Sequence, residues 1–268
     1  MKTFFVVASL TLFLAACGQS DEPAAVAAPE VAEVAAPEAS ETPMQSSAAS
    51  GELLVDYIWN NTADDMTEAQ MAGIIDGWNA RIDAGGYNML GANVLMPQFE
   101  TDDYDLIWVV MWPSSEAREA GWADWNANQV DDWTAELAGA MSYEPENVYT
   151  FKPTDGHDGM EDIAVGGTFH PRFDFCSFNE GQDAASLAAF RAEYDAWLVE
   201  GESNNYGYYL MEPQFDLADA DFVWLDLFGD EAALEAGTAS WTGSALEASW
   251  EAMATCENFA FLATAIRR

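Results

Sequence analysis

Residues 97–125 read PQFETDDYDLIWVVMWPSSEAREAGWADW, and residues 213–241 read PQFDLADADFVWLDLFGDEAALEAGTASW. The two stretches align without a gap at an offset of 116 residues, with 12 identities in 29 positions. Pro97-Gln98-Phe99 recurs as Pro213-Gln214-Phe215, Asp105 as Asp221, Trp108 as Trp224, Gly121 as Gly237 and Trp125 as Trp241. Upstream, the same offset relates Gly85 to Gly201 and Gly91 to Gly207. Such an ungapped match marks an internal duplication. One copy covers 53–152, the other 166–268, and 153–165 (Pro153, Gly156, Gly159) reads as the linker between them.

Each copy parses by hydrophobic period. Residues 53–60 alternate as a strand. Met71, Ile74, Ile75, Trp78 and Ile82 follow helical spacing, with a Thr67/Gln70 capping box in front and Gly85-Gly86 as the stop. The second copy repeats this helix with Leu187, Phe190, Tyr194 and Leu198. A strand near 88–96, a turn over 97–104 and a strand at 105–112 follow. A second helix, capped by Ser114 or Ser115, breaks near Asn126–Asn128 and resumes to about Met141. A last strand lies near 147–152. The order β-α-β-β-α-β, twice, predicts an α+β fold of two fused ferredoxin-like units, each with a four-stranded antiparallel sheet in the order 4-1-3-2 and both helices on one face.

Such a unit leaves its other sheet face bare, and two units bury those faces against each other. Element order and duplication together resemble the dimeric α+β barrel superfamily, which includes small monooxygenases, EthD-like and NIPSNAP-like proteins and haem-binding relatives. Here the pseudo-dimer would lie within one chain, which implies a monomer. The resemblance speaks to fold and not to chemistry.

Alternation sorts the side chains into faces. Ile107, Val109 and Met111 share a face with their matches Val223, Leu225 and Leu227; this aliphatic face is expected to pack on the helices. Trp108, Val110 and Trp112, with Trp224, Asp226 and Phe228, are then expected between the sheets. On the neighbouring first strands, Asp56 and, in the second copy, His170, Arg172 and Asp174 share the corresponding face. His170, Arg172, Asp174, Asp226, Trp224, Trp108 and Asp56 are therefore the candidate lining of an inter-sheet ligand cavity. Asp226, set between aromatics, is expected to have a raised pKa. His170 or Asp226 would serve as a base, and Arg172 would hold an anionic group. The ligand expected from this lining is small and apolar or anionic.

Asp155-Gly156-His157-Asp158 carries metal-capable groups without ligand spacing, and Asp102, Asp103 and Asp105 lack the spacing of an EF-hand. Neither predicts a metal site. Haem-binding relatives imply an axial histidine. The two histidines, His157 and His170, are not on helical segments, so no cofactor is expected. Dinucleotide, P-loop, HExxH and GxSxG signatures are absent from the sequence.

The N-terminus has its own logic. Met1-Lys2-Thr3 precedes an apolar run, Phe4–Ala16, of signal-peptide length. Leu14-Ala15-Ala16-Cys17-Gly18 resembles a bacterial lipobox, which implies cleavage after residue 16, acylation of Cys17 and a membrane anchor. Gly18 in place of Asp favours the outer membrane by the same resemblance. Residues 17–50, with regularly spaced prolines and six acidic residues, read as an extended acidic tether.

Cys176 ends the first strand of the second copy, and Cys256 precedes its last strand, Phe259–Phe261. In the order 4-1-3-2 these strands are antiparallel neighbours. In an oxidising compartment the two thiols are expected to form a disulfide. The chain carries 47 acidic and 8 basic residues, a net charge of -39. From residue 51 onward the balance is still 41 to 7. That excludes a grip on nucleic acid, which needs clustered Lys and Arg. It matches the acidic surfaces of proteins from saline habitats.

Overall fold

The computed structural model describes residues 53–200 and 205–268. The expected signal peptide, Cys17 and the tether lie outside the described residues, as does Gly201.

Eight strands close into a ring. The first half contributes β1 (Leu54–Thr62), β2 (Gly91–Pro97), β3 (Leu106–Trp112), a two-residue β4 (Met141–Ser142) and β5 (Val148–His157). The second contributes β6 (Thr168–Phe178), β7 (Tyr206–Pro213), β8 (Phe222–Phe228) and β9 (Ala254–Arg267). The halves show the orders β5-β1-β3-β2 and β9-β6-β8-β7, and the pairings β2–β9 and β5–β7 close the barrel. All pairings are antiparallel, and the short β4 pairs only with the last two residues of β1, Asn61 and Thr62. β5 runs on to His157, so residues 153–157 of the expected linker belong to a strand that pairs with β7.

The repeated Pro-Gln-Phe is where one half grips the other. The Gln98 amide donates to the Ala260 carbonyl on β9, and the Gln214 amide donates to the Thr150 carbonyl on β5, both at 2.9 Å. Phe99 packs edge-on against Phe259 and Phe261, and Phe215 against Tyr149 and Phe151. Asp105 and Asp221 hold equivalent corners, accepting from the Thr62 amide (2.6 Å) and the Phe178 amide (2.7 Å).

Six helices cover the outside: α1 (Glu68–Gly85), α2 (Ser115–Asn128) and α3 (Val130–Leu137), then α4 (Ala184–Glu200), α5 (Glu231–Trp241) and α6 (Ala245–Met253). The Thr67–Gln70 capping box forms, and Gly86 ends α1 with φ +65°. Ser114 and Asp230 cap α2 and α5 equivalently, accepting from the amides of Ala117 and Ala233. The repeated glycine allows close approach of helix to sheet. A Cβ on Gly121 would lie 2.5 Å from the Trp112 ring, and one on Gly237 would lie 2.7 Å from the Phe228 ring.

The faces of β3 and β8 are the reverse of the sequence expectation. Ile107, Val109, Val223 and Leu225 fill the barrel interior, joined by Tyr57, Phe151, Phe173 and Phe261. Tyr57 meets Phe151 and Phe173 edge-to-face, at 5.7 and 5.4 Å between ring centroids. Trp108, Val110 and Trp112 lie instead under the helices of the first half, and Trp224 and Phe228 under those of the second. An eight-stranded barrel is just wide enough to be filled by side chains. The wide indoles sit where two helices span a sheet and leave more room. Both faces are apolar, so alternation groups the residues correctly without saying which group faces inward.

Cys176 and Cys256 stand directly opposite each other on β6 and β9 and form the expected disulfide. The bridge spans 80 residues and belongs to the second half.

Candidate functional site

Where an inter-sheet cavity was expected, the barrel interior is filled by a buried hydrophobic cluster. The large cavity lies on the other side of the sheet, between β6–β8 and the helices of the second half. It measures about 520 Å³. Its walls are Phe190, Tyr194 and Trp197 from α4, Trp241 from α5, Trp250 from α6, and Trp224 and Phe228 from β8. Arg172, Asp174, Tyr206, Asp226 and Asn258 form its polar side, and His157 and Thr238 also line it.

Four of the seven sequence candidates thus line one cavity: Arg172, Asp174, Asp226 and Trp224. His170 pairs across the sheet with Phe228 but does not line the cavity. Its charge adds to what holds Asp230 below the usual carboxylate range, after the Ala233 amide and the Asn205 side chain. Trp108 and Asp56 belong to the other half.

Asp226 is 3% exposed and saturated with donors. Its Oδ1 accepts from Tyr206 Oη (2.6 Å) and Trp224 Nε1 (2.7 Å), and its Oδ2 accepts from Arg172 Nη2 (2.6 Å) and Nε (3.2 Å). Tyr194 donates in turn to Tyr206 at 2.8 Å. Burial, reinforced by the charge of Asp226, pushes the Tyr206 phenol well above its ordinary 10, so it stays a neutral donor. Asp174 has a raised carboxyl. Burial, and then the charge of Asp226, push it up to about 6 against the opposing pull of Arg172 and the Asn258 hydrogen bond. Asp174 Oδ1 accepts from Asn258 Nδ2 at 2.8 Å, and its Oδ2 lies 3.9 Å from Arg172 Nε. Arg172 is therefore committed to carboxylates and is not the free anion clamp expected from sequence.

The first half shows what the second lacks. At the 116-residue offset, Asp56 becomes Arg172, Ile58 becomes Asp174, Val110 becomes Asp226 and Trp122 becomes Thr238. The strand registers agree, with Asp56 opposite Val110 and Arg172 opposite Asp226. Asp56 is fully buried. It accepts from Trp112 Nε1 (2.9 Å), Trp122 Nε1 (2.7 Å), the Thr150 hydroxyl (2.7 Å) and Arg118 Nε (2.7 and 3.0 Å). Trp122 closes over this pair, and only about 60 Å³ remains, lined almost wholly by apolar side chains. In the second half Thr238 replaces that indole and Leu234 replaces Arg118, so the roof opens. Trp108 shows the converse: with Val110 two residues on, its buried Nε1 has no partner, whereas Trp224 has Asp226.

Sequence reasoning missed Tyr206, Tyr194, Asn258, Trp241, Trp250 and Thr238. The exchange of Trp122 for Thr238 was available as a signal, because it breaks the repeat by a large volume beside the shared Gly121/Gly237. The residues do not fit a haem. His157 is the only histidine lining the cavity, and its Nε2 lies 2.6 Å from where a Cβ on Gly159 would sit, so the imidazole rests on backbone. Among the described residues, no group of three or more His, Cys, Asp or Glu side chains is placed to hold a metal ion, and no helix is long and apolar enough to cross a membrane.

No family model matches the chain, and no curated protein matches it. Solved structures do. An anthrone oxidase-like protein matches with a TM-score of 0.50 at 14% identity, over 81% of this chain and 92% of that one. A protein assigned by name only as a monooxygenase, from Fusobacterium nucleatum, matches with a TM-score of 0.52 at 10% identity, over 81% and 94%. A protein assigned by name only as a chlorite dismutase matches with a TM-score of 0.50 at 11% identity, over 80% and 95%. The chain shares their fold. At these identities the likeness carries the barrel fold and nothing of the chemistry.

Proposed function

We propose that this chain is a small-molecule-binding lipoprotein of the bacterial cell envelope, held by an acylated Cys17 on its acidic tether. Its folded part is a monomeric pseudo-dimer of two ferredoxin-like units. The first unit is a filled scaffold and the second is the receptor. The observation that carries this reading is the contrast of about 520 Å³ against about 60 Å³ at equivalent places. The larger volume is in the range of small-molecule sites, and its aromatic walls with a few convergent polar groups are typical of them. The lipobox-like Leu14–Gly18 supports the anchor, and the disulfide agrees with an oxidising location. Thr238→Trp, which restores the residue found in the first half, is expected to abolish quenching of tryptophan fluorescence by a bound aromatic ligand. Quenching that persists unchanged in this variant overturns the receptor reading. Labelling with a palmitate analogue is expected to disappear in Cys17→Ser; persistent label removes the anchor.

Asp174 favours a second reading, as a cofactor-independent enzyme of the kind that monooxygenase-like neighbours suggest. A carboxylate that titrates near 6 inside a cavity is tuned to take a proton from a bound substrate. Its mark would be turnover lost in Asp174→Asn while ligand binding remains.

A further inference from the structure

We propose that the cavity of the second half selects an organic cation, a positively charged nitrogen group carried on an aromatic or aliphatic body. This rests on the reading of that cavity as a small-molecule site and names the class of ligand it takes.

The charges on the polar side do not cancel. Arg172 gives both Nη2 and Nε to Asp226, and that pair is neutral. Asp174 is left with a hydrogen bond from the neutral Asn258 amide and a guanidinium 3.9 Å away, beyond hydrogen-bonding range. Among its Asp, Glu, Lys and Arg side chains the lining therefore carries two carboxylates against one arginine; with Asp174 ionised this leaves one negative charge in excess, largely buried, on the side of the cavity away from any lysine or second arginine. A bound cation supplies the missing charge, whereas an anion would add to the repulsion. In the first half the same strand face has no such excess: Asp56 is balanced by Arg118, and the counterpart of Asp174 is Ile58.

The walls point the same way. Trp197, Trp241, Trp250, Tyr194 and Phe190 line the space facing these carboxylates. Aromatic faces carry a negative quadrupole and attract cations, most strongly when water is excluded. One such contact is already built into the wall, with the Arg172 guanidinium 5.7 Å from the centroid of Phe228. The overall charge of -39 enriches cations at the surface, an effect that weakens as salt is raised.

The test titrates the purified full-length chain by calorimetry with three probes of one shape. They are (naphthalen-2-ylmethyl)trimethylammonium, its neutral carbon isostere 2-neopentylnaphthalene, and the anionic naphthalen-2-ylmethanesulfonate. The ammonium is expected to bind about tenfold or more tighter than the neutral isostere, and the sulfonate weakest. Asp174→Asn is expected to remove about tenfold of the ammonium affinity and to leave the neutral probe unchanged. The neutral probe binding as tightly as the ammonium, or the sulfonate binding best, overturns the cation inference and leaves the cavity reading standing. If no probe binds, or if Thr238→Trp leaves binding unaltered, the cavity reading fails as well. The comparison of isosteres is made on the unaltered chain, so it holds even where a variant folds poorly.

Discussion

Beneath α1–α3 of the first half, Trp112 and Trp122 converge on Asp56, Trp125 and Trp133 pack against each other in the same layer, and about 60 Å³ is left. Beneath α4–α6 of the second half the same strand face, helix cap and close-approach glycine surround about 520 Å³. Both halves bury an Asp–Arg pair against the sheet. In the first, the arginine descends from α2 and an indole seals it. In the second, both partners rise from neighbouring strands, and the helix above offers Thr238 and Leu234. One half therefore has a packed helix layer, and the other has space and charge in the equivalent place. The barrel interior, to which both halves contribute strands, supplies core that neither helix layer has to provide.

The comparison breaks most severely if Asp56 is not structural. Asp56→Ala leaves Arg118, Trp112, Trp122 and Thr150 without their shared acceptor in a dry site. It is expected to cost about 3–5 kcal/mol by chemical denaturation. Asp226→Ala is expected to cost about 1–3 kcal/mol, because the partly exposed Arg172 guanidinium still has the Asp174 carboxylate 3.9 Å away. Equal losses would mean that the halves are packed alike. Next in size is the disulfide. Cys176→Ala with Cys256→Ala is expected to cost about 2–4 kcal/mol through the loop it releases. The loss should appear first in probes of the second half, such as hydrogen exchange in β6 and β9.

Asp174 gives a pH signature with a definite sign. Its pKa is raised on folding from the ordinary 3.8 to about 6. Its contribution to stability is thus fully present below about pH 4 and is lost as pH rises through 6, by on the order of 3 kcal/mol. Asp174→Asn is expected to be more stable than the unaltered chain above pH 6, with the gain disappearing below pH 4. A pH-independent difference would sink the assignment. The smallest effect is expected from salt. Melting should rise by a few degrees between low salt and about 1 M as repulsion among surface carboxylates is screened. A flat or falling melting temperature would show that repulsion does not limit stability.

Much of this was legible beforehand. The 116-residue repeat and the hydrophobic period gave the element order, the neighbouring strands and the pairing of Cys176 with Cys256, since a duplicated motif and antiparallel neighbours leave few alternatives. Period-2 alternation also put Arg172, Asp174 and Asp226 on one face. It did not show which side of the sheet that face addresses, because Ile107-Val109 and Trp108-Val110 are both apolar and satisfy either layer. Tyr206 and Asn258 were out of reach because β7 and β9 enter the site only by folding back beside β8 and β6.

The sequence by itself determined the duplication, the order of strands and helices, the disulfide and the acidic balance, all of which follow from local period, spacing and composition. The tertiary structure decided that the barrel interior is full and that the space lies under the second helix layer. That outcome depends on volumes meeting across elements: an indole at 122 against a hydroxyl at 238, judged over the same sheet face, with the released volume lined by charge that no single strand reveals.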